Sequence, residues 1–239
     1  MTTVLLNTID HHDVTIRLGH GARFGDAVNQ AIVFPTEFED VAREYPIVFA
    51  RDTDDRLQAV ALLGLDADEN LYLSGDRWDA HYVPAIRQHG PFSILPDAGD
   101  ADGPVIGINL DHPRVMIGGG EDGEPVFLPH GGNAPYLEHV AGVLRRIHVG
   151  HAAMAPMFAA YEAEGLIEPV TLQVSLDETL RYDLPDFHTI GVDALEALDD
   201  VALGRLHRAG FLRTAFAAAA SLGNIARLID LKNARRRLA

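Results

Sequence analysis

The stretch PIVFARDTDDRLQAVALLGL, Pro46 to Leu65, decides how the first half of the chain is read. PIVFAR is short, apolar and rich in β-branched and aromatic residues, TDD carries turn chemistry, and LQAVALLGL supplies an apolar return. Two such runs around a tight polar turn predict an antiparallel hairpin. Upstream, TEFEDVAREY (Thr36–Tyr45) predicts a helix. Thr36 suits its cap, Glu37 and Glu39 its positive first turn, and Pro46 stops it. AIVF (Ala31–Phe34) and VTIRLG (Val14–Gly19) read as strands before that helix. Downstream, LYLSG and VIGINL are further strands, with an acidic, glycine-bearing loop at Asp97–Gly103 between them.

The character changes after Gly118–Gly132, whose glycine-rich composition marks a boundary. Leu137, Val140, Leu144, Ile147, Met154, Phe158 and Tyr161 fall three and four apart, which predicts a long amphipathic helix. Asn133 and Pro135 suit its start and Gly165 its end, and Pro156 is expected to kink or divide it. IEPVTLQVSL (Ile167–Leu176) reads as a strand. Helices follow at Asp193–Leu198, Asp200–Ala209 and Leu212–Arg237, the last interrupted at Ser221–Gly223. The fold class is α+β: a mostly antiparallel sheet from the N-terminal half, packed against the long helix and the C-terminal helices. One domain over residues 1–239 is expected, sheet-rich over residues 1–132 and helix-rich over residues 133–239.

A chain of 239 residues with 47% hydrophobic and 23% charged residues has the composition of a globular protein with a sizeable core. Its formal charge of −16 disfavours nucleic acid and anionic membrane surfaces as partners, and on charge alone favours a basic surface or a cationic peptide. The plainer reading of the acidity is solubility. With no cysteine there are no disulfides, thiol nucleophiles or Cys-ligated metals. MTTVLLNTIDHHDV lacks the basic start of a secretory signal, and no run of apolar residues is long enough to span a membrane. A cytoplasmic protein without membrane insertion is the expectation.

RWDAHYVPAIR (Arg77–Arg87) holds the only tryptophan in a charged setting. Read as a helix capped by Asp76, it puts Trp78 and Tyr82 on one face, extended by Val83 and Ile86, and Asp76, Arg77, Asp79 and Arg87 on the other. Such a face suits packing between sheet and helix, or a binding site built from Trp78, Tyr82, Arg77 and Arg87. For metals, His11 and Asp13 give H-x-D, and His148 and His151 are neighbours on the long helix. A metal-dependent enzyme would need His11 or His12 to converge with at least two of His81, His130, His148, His151 and His188. The competing role for His151 is a hydrogen-bonded core or interface histidine. GHGARFGD (Gly19–Asp26) departs from the dinucleotide fingerprint, because its third glycine comes one residue late. No phosphate-loop, G-x-S-x-G or S-x-x-K motif is present, and Asp199–Asp200 read as a helix cap. No cofactor is expected.

EFEDVAREYPIVFARD, AVALLGLDADENLYL, RWDAHYVPAIRQHGPF and GFLRTAFAAAASLGNIARLI resemble, in this order, the recurring blocks of the SapC family of bacterial proteins. The resemblance runs from about Phe24 to near the C-terminus. The family takes its name from a component associated with a bacterial surface layer. Members of that family are often encoded beside TonB-dependent receptors, flavin-dependent tryptophan halogenases and cupin-like oxygenases. The resemblance implies a role in uptake or modification of a peptide or other nutrient, and it carries no catalytic residues across. The leading expectation is a non-catalytic accessory or binding protein for a protein or peptide partner. A homodimer through the alanine-rich last helix goes with it. The alternatives are a metal-dependent enzyme on a peptide-like substrate, and a surface-layer structural protein.

Overall fold

The computed structural model describes residues 3–95, 105–118, 123–177 and 180–237. The loop expected at Asp97–Gly103, and residues 119–122 of the expected boundary, lie outside them. In chain order the first elements are β1 (Thr3–Leu5), β2 (Thr15–Arg17), β3 (Gln30–Ile32), α1 (Phe38–Val41), β4 (Ile47–Arg51) and β5 (Leu57–Leu62). Next come β6 (Leu73–Ser74), β7 (Arg77–Trp78), α2 (Ala85–Gln88), β8 (Phe92–Leu95), β9 (Val105–Asn109), β10 (Val115–Met116) and β11 (Gly123–Pro125). The chain closes with α3 (Pro135–Ala163), β12 (Ile167–Ser175), β13 (Arg181–Ile190), α4 (Val192–Glu196), α5 (Asp200–Ala209), α6 (Leu212–Ser221) and α7 (Ile225–Arg236).

The hairpin read from Pro46–Leu65 is formed by β4 and β5, in register from Ile47↔Ala61 to Arg51↔Leu57. The turn lies where TDD was read, but it is closed by the residue before that triplet: the Asp52 carboxylate accepts from the Asp54 and Arg56 amides at 2.9 Å each. Around this hairpin a five-stranded sheet runs in the order β12-β13-β4-β5-β3. Two three-stranded sheets, β1-β9-β8 and β10-β2-β11, and the small β6-β7 hairpin complete the strands described. Every strand pair among the described residues is antiparallel. Strands from both sides of residue 132 therefore share the main sheet. The long hairpin β12-β13 supplies two of its strands, and the sequence reading had only β12.

The long helix forms as expected and is not divided: α3 continues through Pro156, starts with Pro135 at its first position and ends before Gly165. It spans two cores. Leu137, Val140 and Leu144 pack with Val14, Ile16, Phe92, Ile108, Val126 and Phe127, while Met157, Phe158 and Tyr161 join the core of the main sheet. There Phe49 of β4 meets the edge of Phe158, with ring centroids 5.0 Å apart. The inner face of α6 is small: Ala215, Ala218 and Ser221 are fully buried. The Ser221 hydroxyl donates to the Ala218 carbonyl at 2.6 Å and accepts from the Ile47 amide at 2.8 Å. These small side chains are thus used within the chain, bringing a helix close to the start of β4. The cap read at Asp199 is present, its carboxylate accepting from the Ala202 amide at 2.7 Å.

Two local expectations are corrected. Thr36 does not cap a helix; its hydroxyl donates to the Arg146 carbonyl of α3 at 3.1 Å. The segment begins instead with a 3-10 turn, Pro35–Glu37, before α1. The second correction is the helix from Arg77. Residues 77 and 78 are strand, paired with β6 across a two-residue turn in which Gly75 has φ +62°. Helix begins only at Ala85, after Pro84.

Candidate functional site

The strand correction removes the common helical face on which Trp78 and Tyr82 were to sit. Trp78 points into the core, and its indole N–H donates to the Tyr45 hydroxyl at 2.8 Å. That hydroxyl donates in turn to the Tyr82 carbonyl at 2.5 Å. The irregular segment from Asp79 to Pro84 has no ladder of its own, so its backbone polar groups need partners elsewhere. Two buried glutamates supply them. Glu44 accepts from the amides of His81 (2.8 Å) and Tyr82 (3.0 Å). Glu37 accepts from the Tyr82 hydroxyl (2.6 Å), the Ala85 amide (2.8 Å) and the Phe34 amide (3.1 Å). Burial pushes the Glu37 carboxyl above the usual carboxylate range, and the Tyr82, Ala85 and Phe34 donors and the Arg146 charge pull against that without reversing it.

This fixed segment forms one wall of a cleft of about 680 Å³. His81, Tyr82, Val83, Arg87 and Gln88 line that wall, and Tyr136, Glu138, His139, Gly142, Val143 and Arg146 of α3 line another. Leu18, Gly19, His20, Gly90 and Arg114 complete the lining. Its size is that of a small-ligand or short-peptide pocket.

At the Arg114 side the charges are balanced. The Arg114 guanidinium is buried, stacks over the Phe24 ring at 4.1 Å and lies 3.3 Å from the Asp26 carboxylate. Asp26 also accepts from the Gly21 amide at 3.0 Å and faces the His20 Nδ1 at 3.4 Å. Burial alone pushes Asp26 up, but His20, the Gly21 amide and the Arg114 charge together hold it below the usual range. The His20 ring leans edge-on against Trp78, with centroids 5.3 Å apart. Trp78 is thus a backing for a cleft residue rather than a lining residue.

At the Tyr82 side no carboxylate pairs directly with an arginine, although the Glu37 charge, one hydroxyl away, acts on Arg146. Arg146 donates to the Tyr82 hydroxyl at 3.0 Å. Arg87 donates to the Gly25 carbonyl at 3.1 Å, and its Nε is buried without a hydrogen-bond partner. Among the described residues no carboxylate lies within ion-pair distance of either guanidinium. Glu138 is the one acid in a lining that holds three arginines and three histidines. A protein of net charge −16 thus lines this cleft with more arginine than acid, with Asp26 and Glu37 just behind the lining.

Of the four binding residues read from the sequence, Tyr82 and Arg87 line this cleft. Trp78 lies behind it, and Arg77 lies outside it, exposed and paired with Asp79 at 2.5 Å. The histidine readings fare differently. His11 and Asp13 sit in turns rather than on a strand, and the His11 Nδ1 is 3.2 Å from the Asn7 carbonyl. His148 and His151 are exposed on α3, beside an apolar groove with Ile86, His89, Phe92 and Ile94, so His151 is not a core residue. Among the described residues no three His, Cys, Asp or Glu side chains are placed to hold a metal together. The convergence that a metal-dependent enzyme required is not realised by those histidines.

His20, Arg114, Tyr136, His139 and Arg146 were missed by the sequence reading. GHGARFGD was weighed only as a nucleotide motif, yet it supplies both His20 and Asp26. Glu37 and Glu44 carried a usable signal. They are seven apart and flank Val41 at helical spacing, which puts two carboxylates on an apolar stripe. Arg114 and Arg146 carried none, since single arginines on a polar background are the norm.

A family model described as SapC matches residues 6–228 of the 239-residue chain. No curated protein and no solved structure matches it. No helix among the described residues is long and apolar enough to cross a membrane.

Proposed function

The chain belongs to the SapC family, and we propose that it is a non-catalytic binding protein that recognises a peptide or protein partner in the cleft beside Tyr82. On this reading it serves TonB-dependent nutrient uptake or peptide modification as an accessory component. The observation that carries the proposal is the preformed wall: an irregular segment held from behind by Glu37, Glu44 and Tyr45, with Tyr82 and Arg87 directed to the cleft. A wall fixed before binding loses little conformational freedom when a ligand arrives. Tyr82, Tyr136, Val83 and Val143 supply apolar surface, and the arginines and histidines supply donors, the mixture expected of a recognition site.

The test uses the chain's own reporter. Trp78 is the only tryptophan and touches His20 of the lining, so filling the cleft changes its emission. Titration with pooled synthetic pentapeptides should give a saturable change, weakened at least tenfold in Tyr82→Ala and Arg87→Ala. Unchanged binding by those two variants, with wild-type circular dichroism, would place recognition elsewhere.

A further inference from the structure

We propose that the group anchored in this cleft is a carboxylate, held by Arg87 and Arg146, which line it together with Tyr82, so that the partner presents a free C-terminus or an Asp or Glu side chain. The inference rests on the reading of the cleft as a peptide site and specifies its chemistry.

Three observations carry it. First, the charge inventory separates one cation with a direct carboxylate partner from two without one. Arg114 is matched by Asp26 at 3.3 Å, whereas Arg87 and Arg146 spend one hydrogen bond each on neutral oxygens, the Gly25 carbonyl and the Tyr82 hydroxyl. A guanidinium has five N–H donors in a planar fork that fits a carboxylate with two parallel bonds. Second, the Arg87 Nε is buried and has no hydrogen-bond partner. That donor has no surface open to the cleft, so a ligand reaches it only by a turn of the Arg87 side chain, which would relieve the cost of leaving it unmade.

Third, the backbone donors that would cradle a phosphate are already taken. The glycine-rich turn beside the cleft gives its His20 amide to the Asp76 carbonyl at 2.9 Å and its Gly21 amide to the Asp26 carboxylate at 3.0 Å. Phosphate sites are built from such amides and from helix N-termini, and the first turn of α3 presents Glu138 to this cleft. What remains open is side-chain guanidinium, whose planar fork fits a carboxylate with two parallel bonds and accepts a phosphate as well, so the inorganic phosphate arm of the titration separates the two. The net charge of the protein pointed to a cationic partner; on this proposal the cleft takes an anionic group instead.

Isothermal titration of the 239-residue chain with matched pentapeptides decides the matter. One set has a free C-terminal carboxylate, one has the same sequences as C-terminal amides, and a third carries an internal Asp or Glu with an amidated end. Succinate and inorganic phosphate are run alongside. The expected result is binding confined to the carboxylate-bearing peptides, at least tenfold weaker in Arg87→Gln and in Arg146→Gln. Lysine at either position should retain some of the affinity, and affinity should fall as sodium chloride rises. Arg181→Gln, on the distant β12-β13 hairpin, is the control and should bind as wild type. Binding of the first set alone identifies the C-terminus as the source, and binding of the third set identifies an acidic side chain.

Equal affinity for amidated neutral peptides, unmoved by Arg87→Gln, overturns the carboxylate anchor while leaving peptide recognition standing. Succinate binding without peptide binding keeps the anchor and removes the peptide reading. Binding of phosphate alone, or of nothing, overturns the proposal.

Discussion

Gly150→Ala should destabilise the protein, although alanine is the better helix former. Gly150 lies inside α3, where replacement by alanine ordinarily gains about 1 kcal/mol. A methyl there would meet Phe34 Cβ and Cγ and stand 2.6 Å from the Thr36 hydroxyl oxygen. The segment Phe34–Thr36 must then retreat from the helix. Overpacking of this kind costs about 1–3 kcal/mol, and losing the Thr36 hydrogen bond to the Arg146 carbonyl adds about 1 kcal/mol. The net expectation is a loss of about 1–3 kcal/mol, read by urea titration, with a fall of roughly 2–4 °C in Tm per kcal/mol for a chain of this size. Gly142 on the same helix is the internal control, because its methyl would meet nothing within 4 Å. Gly142→Ala should stabilise by up to about 1 kcal/mol. If Gly150→Ala is as stable as wild type or more so, the close approach of Phe34–Thr36 to α3 is refuted.

Glu37→Gln should cost about 1–3 kcal/mol in urea titration, because an amide NH₂ must face one of the N–H or O–H donors that now converge on the carboxylate. Lys232→Met should cost about 2–3 kcal/mol, since it strands the half-buried Glu69 carboxylate that Lys232 holds at 2.7 Å; a stability equal to wild type would show that bridge to be idle. His89 has a pKa lowered mainly by burial. Its neutral form is favoured in the folded state, so its contribution is present above the unfolded value near 6.5 and lost as pH falls through the folded one. Tm should therefore drop between pH 7.5 and 5.5, with a shallower slope in His89→Asn, and a flat profile would contradict this. Glu37, with its raised pKa, acts in the opposite sense: its contribution is present below the unfolded value of about 4.3 and lost as pH rises through the folded one. Trp78 emission should be blue-shifted and little quenched by iodide, given 6% exposure; efficient quenching would contradict the burial.

The elements written in local pattern were legible. The β4-β5 hairpin follows from two apolar runs and an Asp-rich turn, and α3 and α5 from periodicity and caps. What failed did so for identifiable reasons. β13 carries Pro185 and then Asp186 at φ +66°, and its register with β12 shifts between Val170 and Leu172. Pairing Val170↔Phe187 and Leu172↔Leu184 sets two residues against one, a bulge that breaks the alternation by which strands are recognised. Trp78 and Tyr82 sit at helical spacing, yet Gly75–Asp76 is a two-residue hairpin turn and Pro84 delays the helix. Turn chemistry outweighed periodicity there. In the cleft, Tyr82 and Arg87 were legible because they share a short aromatic and basic run. His20, Arg114 and Arg146 come together only through tertiary contacts, and no local pattern records them.

The wall of the cleft has a further consequence for protein engineering. The shape of residues 79–85 is specified some forty positions upstream, by Glu37, Glu44 and Tyr45, through bonds to backbone amides and a carbonyl. Transplanting the 77–90 segment alone onto another scaffold would carry its side chains but not its conformation. Moving 34–45 with it would carry both. Conversely, the side chain at Val83 can be randomised without touching those bonds, whereas Gln88 donates to the Val83 carbonyl and the His81 Nδ1 lies 3.5 Å from the Glu44 carboxylate, so a designed binding library on this wall keeps both.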